Sequence, residues 1–386
     1  MHPLSKRDPV LWRNGLHDVA RERSGLSDFG DEAYFEALGV LFDAYSESPY
    51  LSRAGWQVIE GQIITALCGR LVSEAGWQRD GRWRSGTLRR PIFILGLPRT
   101  GTTALHKLLA CDPAHQTLPH WLGLHPIPRP PQDRWPEHPA YQETVARLET
   151  LFEENPGLRA IHDMRADEAD ECRLLRMQSL ADLTFETAYV PRYRTWLMGR
   201  SQPDVYARYA DNLRLVGAGD ERRWVLKCPG HLWALDALLA EFPDACIVQT
   251  HRAPEQVIPS SSSLRLAGAR SSEPGLPPEV VGRDNLDRWH TILERAWAVR
   301  RVAQKEQFCD VDYESLVADP LEQVRRIYGH FGISLSQAAE QGMQAWHAAR
   351  PQKHHGDHRY SAQEFGLSDP EIRERFSDYR ARHGLR

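Results

Sequence analysis

The chain has 386 residues, 41% of them hydrophobic and 26% charged. That balance fits a soluble globular protein with one large α/β domain and appendages, or with two domains. A formal net charge of −4 argues against a general nucleic-acid binder, while a local basic pocket stays compatible with it. No run of 18 or more apolar residues occurs, so no membrane span is expected.

The first residues, Met1-His2-Pro3-Leu4-Ser5-Lys6-Arg7-Asp8, lack an apolar signal core. Cys68, Cys111, Cys172, Cys228, Cys246 and Cys309 form no C-x-x-C pair, which points to buried reduced thiols and to the cytoplasm rather than to zinc or disulfides. Residues 1 to about 88 read as helical: Tyr34–Phe42 and Val58–Leu67 carry apolar positions three and four apart. They form a helical N-terminal extension, a packing or dimerisation element compatible with a homo-oligomer, and carry no recognisable chemistry.

The informative stretch is Pro91-Ile92-Phe93-Ile94-Leu95-Gly96-Leu97-Pro98-Arg99-Thr100-Gly101-Thr102-Thr103. A short apolar run predicts a buried strand, the glycines a tight turn, and Ala104–Ala110 a helix. Strand, turn and helix start together aim backbone N–H groups and the helix dipole at an anion. Gly96-x4-Gly101 has the spacing of the phosphate-binding loop, but Thr102-Thr103 stands where an NTPase needs Lys-Ser/Thr. The basic residue sits two places before the second glycine, at Arg99. Without the lysine that reaches the β/γ-phosphates, a Mg²⁺-dependent kinase or hydrolase becomes the weaker reading.

Leu118–Pro131 contains too many prolines for a helix or a central strand. Its His120, Trp121 and His125 line a substrate pocket, or the segment is a surface crossing; both readings stay open. Residues 140 to 215 read as helices. Within them Asp167-Glu168-Ala169-Asp170-Glu171 is expected as a solvated helix start, with Glu168 and Glu171 on one face at i, i+3 as alternative bases. Tyr189, Tyr193 and Trp196 share a helical stripe, which is core packing or the lining of an acceptor pocket.

Trp224–Cys228, the Pro229-Gly230 turn, a helix through Leu239 and the apolar run Ala245–Thr250 make a βαβ unit and hence a parallel sheet. Ligands gather at the carboxyl ends of such strands, where Arg99, Lys227, His231, His251 and Arg252 all fall. Residues 265 to 285 read as a loop that could act as a lid. Phe308–Leu316 predicts a strand entering a turn, and Asp319-Pro320 a capped helix start.

Leu97-Pro98-Arg99-Thr100-Gly101-Thr102-Thr103 resembles the 5′-phosphosulfate loop of sulfotransferases that use 3′-phosphoadenosine 5′-phosphosulfate (PAPS). Arg252 followed eight residues later by Ser260 resembles that family's 3′-phosphate motif, with Ser261 as an alternative hydroxyl because Pro259 is expected to kink the helix. Tyr313-Glu314-Ser315-Leu316 before Asp-Pro also recurs in the family. The late basic tract Lys353–Tyr360 looks like its nucleotide-closing loop, with Lys353 and Arg359 as the candidate contacts.

The resemblance covers roughly residues 90 to 386 and is nearest the bacterial members that modify small-molecule or lipid hydroxyls. It implies a P-loop-like three-layer α/β domain over 89–386, a central parallel sheet flanked by helices, and PAPS as co-substrate without a metal. It further implies in-line transfer stabilised by Arg99 and the loop amides, with His231 as general base and Lys227 as a nearby cation. Glu168, Glu171 and His125 are the fallback bases. A nucleotide kinase and a non-catalytic nucleotide-binding protein are the competing classes.

Overall fold

The computed structural model describes residues 8–154, 164–349 and 361–385. Contacts divide the chain into two compact units. One comprises Met1–Leu88, Leu118–Glu221 and Ser271–Pro274, and the other Arg89–Thr117, Arg222–Arg270 and Gly275–Arg386. Residues 118–221 group with the N-terminal helices.

The helical unit opens with three helices, Pro9–Ser24, Tyr34–Glu47 and Arg53–Arg79. Asp8 caps the first and Ser52 the third, each side chain accepting from backbone N–H groups of the first turn. Trp12 and Trp56 meet edge to face at 6.0 Å, and Phe42 lies 5.1 Å from Trp12. These aromatic faces explain why the apolar periodicity was readable. Charge is buried here as well, always with a partner: Arg208 with Glu74 at 2.7 Å, and Arg176 with Asp182 at 2.8 Å.

The other unit is built on five parallel strands in the order β2-β3-β1-β4-β5. They are β1 Ile92–Gly96, β2 His115–Gln116, β3 Arg223–Lys227, β4 Cys246–His251 and β5 Phe308–Asp312. The sheet is covered on both faces. Ile92 and Ile94 of β1 pack with Leu105, Leu109 and Ile327 on one side. Phe93 points the opposite way, against Phe242 at 5.1 Å and His231 at 5.2 Å. Four strands follow the sequence reading. The fifth, β2, has two residues and is lengthened by side chains: Gln116 Nε2 donates to Arg222 O at 2.7 Å, and Arg222 Nη1 to His115 O at 3.0 Å.

The helix after β4 runs from Pro254 to Ala269 and carries Pro259 inside it. Two local expectations change. Residues 265–285 are mostly helical, because the next helix begins at Pro278. The connection is pinned rather than lid-like: Ser272 O accepts from Ser52 N at 2.8 Å, and the buried Glu273 carboxylate accepts from Tyr189 N at 2.9 Å. Finally, Asp167–Glu171 is not a helix start. Ala169 pairs antiparallel with Pro119, and the short helix begins later, at Arg173.

Candidate functional site

The loop after β1 is shaped by two glycines. Gly96 has φ +150°, and a Cβ there would lie 2.2 Å from Thr250 Oγ1 and 2.8 Å from Thr100 Oγ1. Gly101 has φ +84°, and a Cβ there would lie 2.9 Å from Leu316 and 3.3 Å from the Tyr313 ring. Only glycine fits either place. Thr100 is fully buried; its hydroxyl donates to Leu97 O at 2.6 Å and sits 2.6 Å from Thr250 Oγ1. That side chain locks the loop from beneath.

Arg99 adopts φ +68°, a left-handed conformation that costs an ordinary residue about 1–2 kcal/mol. The helix Thr102–Leu109 starts directly from Gly101, so its first-turn N–H groups have no carbonyl to bond within the helix. Thr102 is buried, Thr103 is exposed, and Pro98 is half-buried at the rim.

The second element is brought in from about 150 residues away. Arg252, one place past β4, donates from Nη1 to Arg99 O at 2.9 Å and from Nε to Gln256 Oε1 at 3.0 Å. Its guanidinium lies over the Tyr313 ring at 4.1 Å. Arg99 Nε in turn donates to Ser260 Oγ at 3.3 Å. Burial lowers the Arg252 pKa, and the like charge of Arg99 works in the same direction against the opposing phenol of Tyr313.

Among the described residues, neither Arg99 nor Arg252 has a carboxylate within ion-pairing distance. Elsewhere in this unit Arg300 pairs with Asp310 at 2.8 Å and Arg382 with Glu294 at 2.9 Å. Two half-buried cations, joined through one backbone carbonyl and left without an anion, make a site for one.

The structure also separates two neighbouring serines. Ser260 faces Arg99, whereas Ser261 is buried and accepts from Asn285 Nδ2 at 2.7 Å. Lys227, the last residue of β3, is buried, and so is His231, whose ring stands edge-on to Phe93. Lys353 and Arg359 lie outside the described residues.

The carboxylates of the helical unit are engaged locally. Glu168 is 3.8 Å from Arg165, Glu171 is 3.5 Å from Arg173, and Glu143 is 3.8 Å from His125. Burial lowers the His125 pKa, with Glu143 opposing. The notable pair is His120 and Asp170, both buried, joined through His120 Nδ1 and Asp170 Oδ2. Asp170 Oδ1 also accepts from Glu171 N at 2.6 Å. Sequence reasoning missed this pair because Asp170 was counted among four carboxylates expected on one helix. It missed Tyr313 as a site residue because the Tyr-Glu-x-Leu phrase showed its pattern but not its contact.

The profile of the sulfotransferase family matches residues 91–337, which holds the loop, Arg252, Ser260 and Tyr313 together. The chain belongs to the sulfotransferase family.

Whole-chain likeness agrees. The structure of sulfotransferase STF1 from Mycobacterium tuberculosis is 41% identical, with a TM-score of 0.88 over 95% of this chain and 98% of that one. Sulfotransferase STF9 from Mycobacterium avium is 26% identical, with a TM-score of 0.89 over 97% of each chain. These overlaps include the N-terminal helices, so the sulfotransferase architecture here extends well beyond the profile match. A curated relative from Mycobacterium bovis, omega-hydroxy-beta-dihydromenaquinone-9 sulfotransferase Stf3, is 28% identical over 267 residues. That match spans 63% of this chain and 63% of the relative.

Proposed function

We propose that the chain moves a sulfonate group from PAPS to a hydroxyl of a small-molecule or lipid acceptor. The observation that carries this reading is the Arg99–Ser260–Arg252 assembly, two guanidiniums without carboxylates beside a helix N-terminus. PAPS presents two anionic groups, a sulfonated 5′-phosphate and a 3′-phosphate, and the assembly offers donors for both. The loop from Pro98 to Thr103 holds the former with backbone N–H groups and Arg99. Thr102 and Thr103 open the helix there, and Thr100 serves through loop shape. Arg252 and Ser260 hold the 3′-phosphate.

During in-line transfer, negative charge grows on the oxygen that leaves with the nucleotide. Donors already fixed by the glycine turn and by Arg99 stabilise that charge without reorganising. Lys227 is the nearby cation of this reading. No step requires a metal ion.

The acceptor proton goes to a histidine. His231 follows β3, and its full burial means that the 229–234 turn must shift for it to reach a hydroxyl. His231→Ala tests this: the variant loses turnover with nucleotide affinity intact.

The acceptor in this reading is a lipid hydroxyl, in keeping with the quinone lipid named for the mycobacterial relative. We place the protein in the cytoplasm, where its six cysteines, none of them in a disulfide among the described residues, stay reduced. No helix among the described residues is long and apolar enough to cross a membrane.

Calorimetric titration with 3′,5′-adenosine bisphosphate, and separately with Mg·ATP, tests the reading. Metal-independent binding of the bisphosphate that disappears in Arg252→Ala supports it. Preference for Mg·ATP overturns it in favour of a kinase.

A further inference from the structure

Arg252 is held at two of its nitrogens, and both partners are uncharged. Nε donates to Gln256 Oε1 at 3.0 Å, and Nη1 donates to Arg99 O at 2.9 Å. The Tyr313 ring lies against one face of the guanidinium at 4.1 Å. A guanidinium has five N–H groups, so after these two bonds the remaining donors sit on Nη1 and Nη2. No further protein partner meets them among the described residues. Those two nitrogens make a fork that takes an oxyanion through paired bonds.

Gln256 lies in the first turn of the helix Pro254–Ala269, four residues after Arg252. A first turn favours carboxylates, because the helix N-terminus carries partial positive charge. A carboxylate four residues from an arginine also favours an ion pair. The same unit uses such pairs elsewhere: Arg382 meets Asp378 at 3.6 Å, and Arg325 meets Glu322, three residues away, at 3.3 Å. At position 256 both influences favour glutamate. The chain carries the amide of the same shape, without the charge.

The adjacent residue is a carboxylate, and it is engaged by other arginines. Glu255 Oε1 accepts from Arg373 Nε at 2.9 Å and from Arg380 Nη1. These arginines come from the helices Asp369–Arg375 and Ser377–His383. Burial would raise the Glu255 pKa, but the hydrogen bonds from Arg373 and Arg380 outweigh it and hold the pKa down. The Glu255 charge is therefore present and is answered there rather than at Arg252. Burial is the largest influence on the Arg252 pKa and lowers it, while Glu314 opposes from beyond ion-pairing distance.

We propose that Gln256 is a specificity-determining residue of the donor site: its uncharged oxygen orients Arg252 without neutralising it, which keeps the full charge of the guanidinium for the donor's 3′-phosphate. This inference rests on the PAPS reading. It gives Gln256 a share in the preference for a nucleotide with a 3′-phosphate over one without.

Gln256→Glu keeps the shape and the acceptor oxygen and adds the charge, whereas Gln256→Ala removes the oxygen and adds none. Both are compared with wild type and Arg252→Ala by calorimetric titration with 3′,5′-adenosine bisphosphate and with adenosine 5′-monophosphate. Melting temperature and steady-state kinetics are measured alongside. Gln256→Glu should lower bisphosphate affinity about 10-fold, because the new carboxylate occupies the guanidinium and repels the phosphate. Monophosphate affinity should change by less than about 2-fold, since solvent and salt screen the more distant 5′ group. The melting temperature should hold or rise, because the helix start gains a favourable charge. The KM for the donor should rise with kcat nearly unchanged. Gln256→Ala should lower bisphosphate affinity by only about 3-fold, the worth of one hydrogen bond.

Wild-type bisphosphate affinity in Gln256→Glu would overturn the proposal. So would equal losses for the two nucleotides, or losses that follow a fall in melting temperature, since those mark a residue serving only the fold. If wild type does not prefer the bisphosphate to the monophosphate, the donor-site reading falls and takes this proposal with it. If wild type prefers it, Arg252→Ala abolishes the preference and Gln256→Glu retains it, the donor site stands and only the role of Gln256 is lost.

Discussion

The two units treat buried positive charge in opposite ways. In the helical unit every arginine drawn into the interior meets a carboxylate: Arg70 meets Asp31, Arg176 meets Asp182, and Arg208 meets Glu74. Burial, with the like charge of Arg70 adding to it, pushes the Arg208 pKa down to about 10. In the sheet unit Arg300, Arg373 and Arg382 are paired as well, with Asp310, Glu255 and Glu294, but Arg99 and Arg252 at the strand ends have no carboxylate within ion-pairing distance. Paired charge fixes the fold, whereas the unpaired pair waits for an anionic ligand. Removing the partner of a buried ion is costly, and an anionic ligand would supply Arg99 and Arg252 with the partner they lack.

The sharpest way to break this contrast is to unpair one buried arginine. Glu74→Ala should destabilise the protein by about 3–5 kcal/mol, because Arg208 would keep its charge without a carboxylate. Denaturant unfolding measures the loss. The comparison predicts the reverse pattern for Arg252→Ala: stability close to wild type, with bisphosphate affinity reduced by about 10- to 100-fold, as expected for a charge-assisted contact of about 1.5–3 kcal/mol. A large fall in stability for Arg252→Ala would show that its charge serves the fold after all.

A smaller effect separates the two serines. Ser260→Ala should weaken bisphosphate binding by only a few fold and leave stability alone. Ser261→Ala should leave binding unchanged and cost stability, since it removes the shortest hydrogen bond of the buried Asn285 amide. Interchanged outcomes would move the working hydroxyl to Ser261.

The mildest test is pH. Burial pushes the His383 pKa down to about 3 and lowers that of His251 as well. In the unfolded chain both histidines take up protons near pH 6.5, and in the folded protein they do not. Their contribution is complete above about pH 6.5 and is lost progressively as pH falls toward 3. Acid-side melting curves should therefore flatten between those limits when His383 is replaced by Gln, and an unchanged slope would remove His383 from the account.

Much of the site was legible because its signals are local. The glycines at 96 and 101, Arg99 between them, the apolar strand before and the helix after all lie between Ile92 and Leu109. The Arg252-x7-Ser260 spacing is local as well. The acidic run 167–171 misled because four clustered carboxylates favour a helix start, while the contact that decided its shape, the pairing of Ala169 with Pro119, lies some 50 residues away. The place of His231 after β3 was legible too, whereas the direction of its ring depends on Phe93 in β1.

By itself the sequence determined four of the five strands, the anion-type loop and the parallel sheet, because apolar runs, glycine turns and βα alternation are properties of adjacent residues. Tertiary structure alone decided the remainder. A strand of two residues, His115–Gln116, is too short to show any period and exists only because β3 supplies its partner. Ser260 rather than Ser261 faces Arg99 because Asn285 on another helix claims Ser261. Tyr379, 128 places beyond His251, reaches that ring only once the C-terminal helix docks against the end of β4. Contacts between segments far apart along the chain leave no spacing to read, so the partner of each polar group is set only when the segments pack.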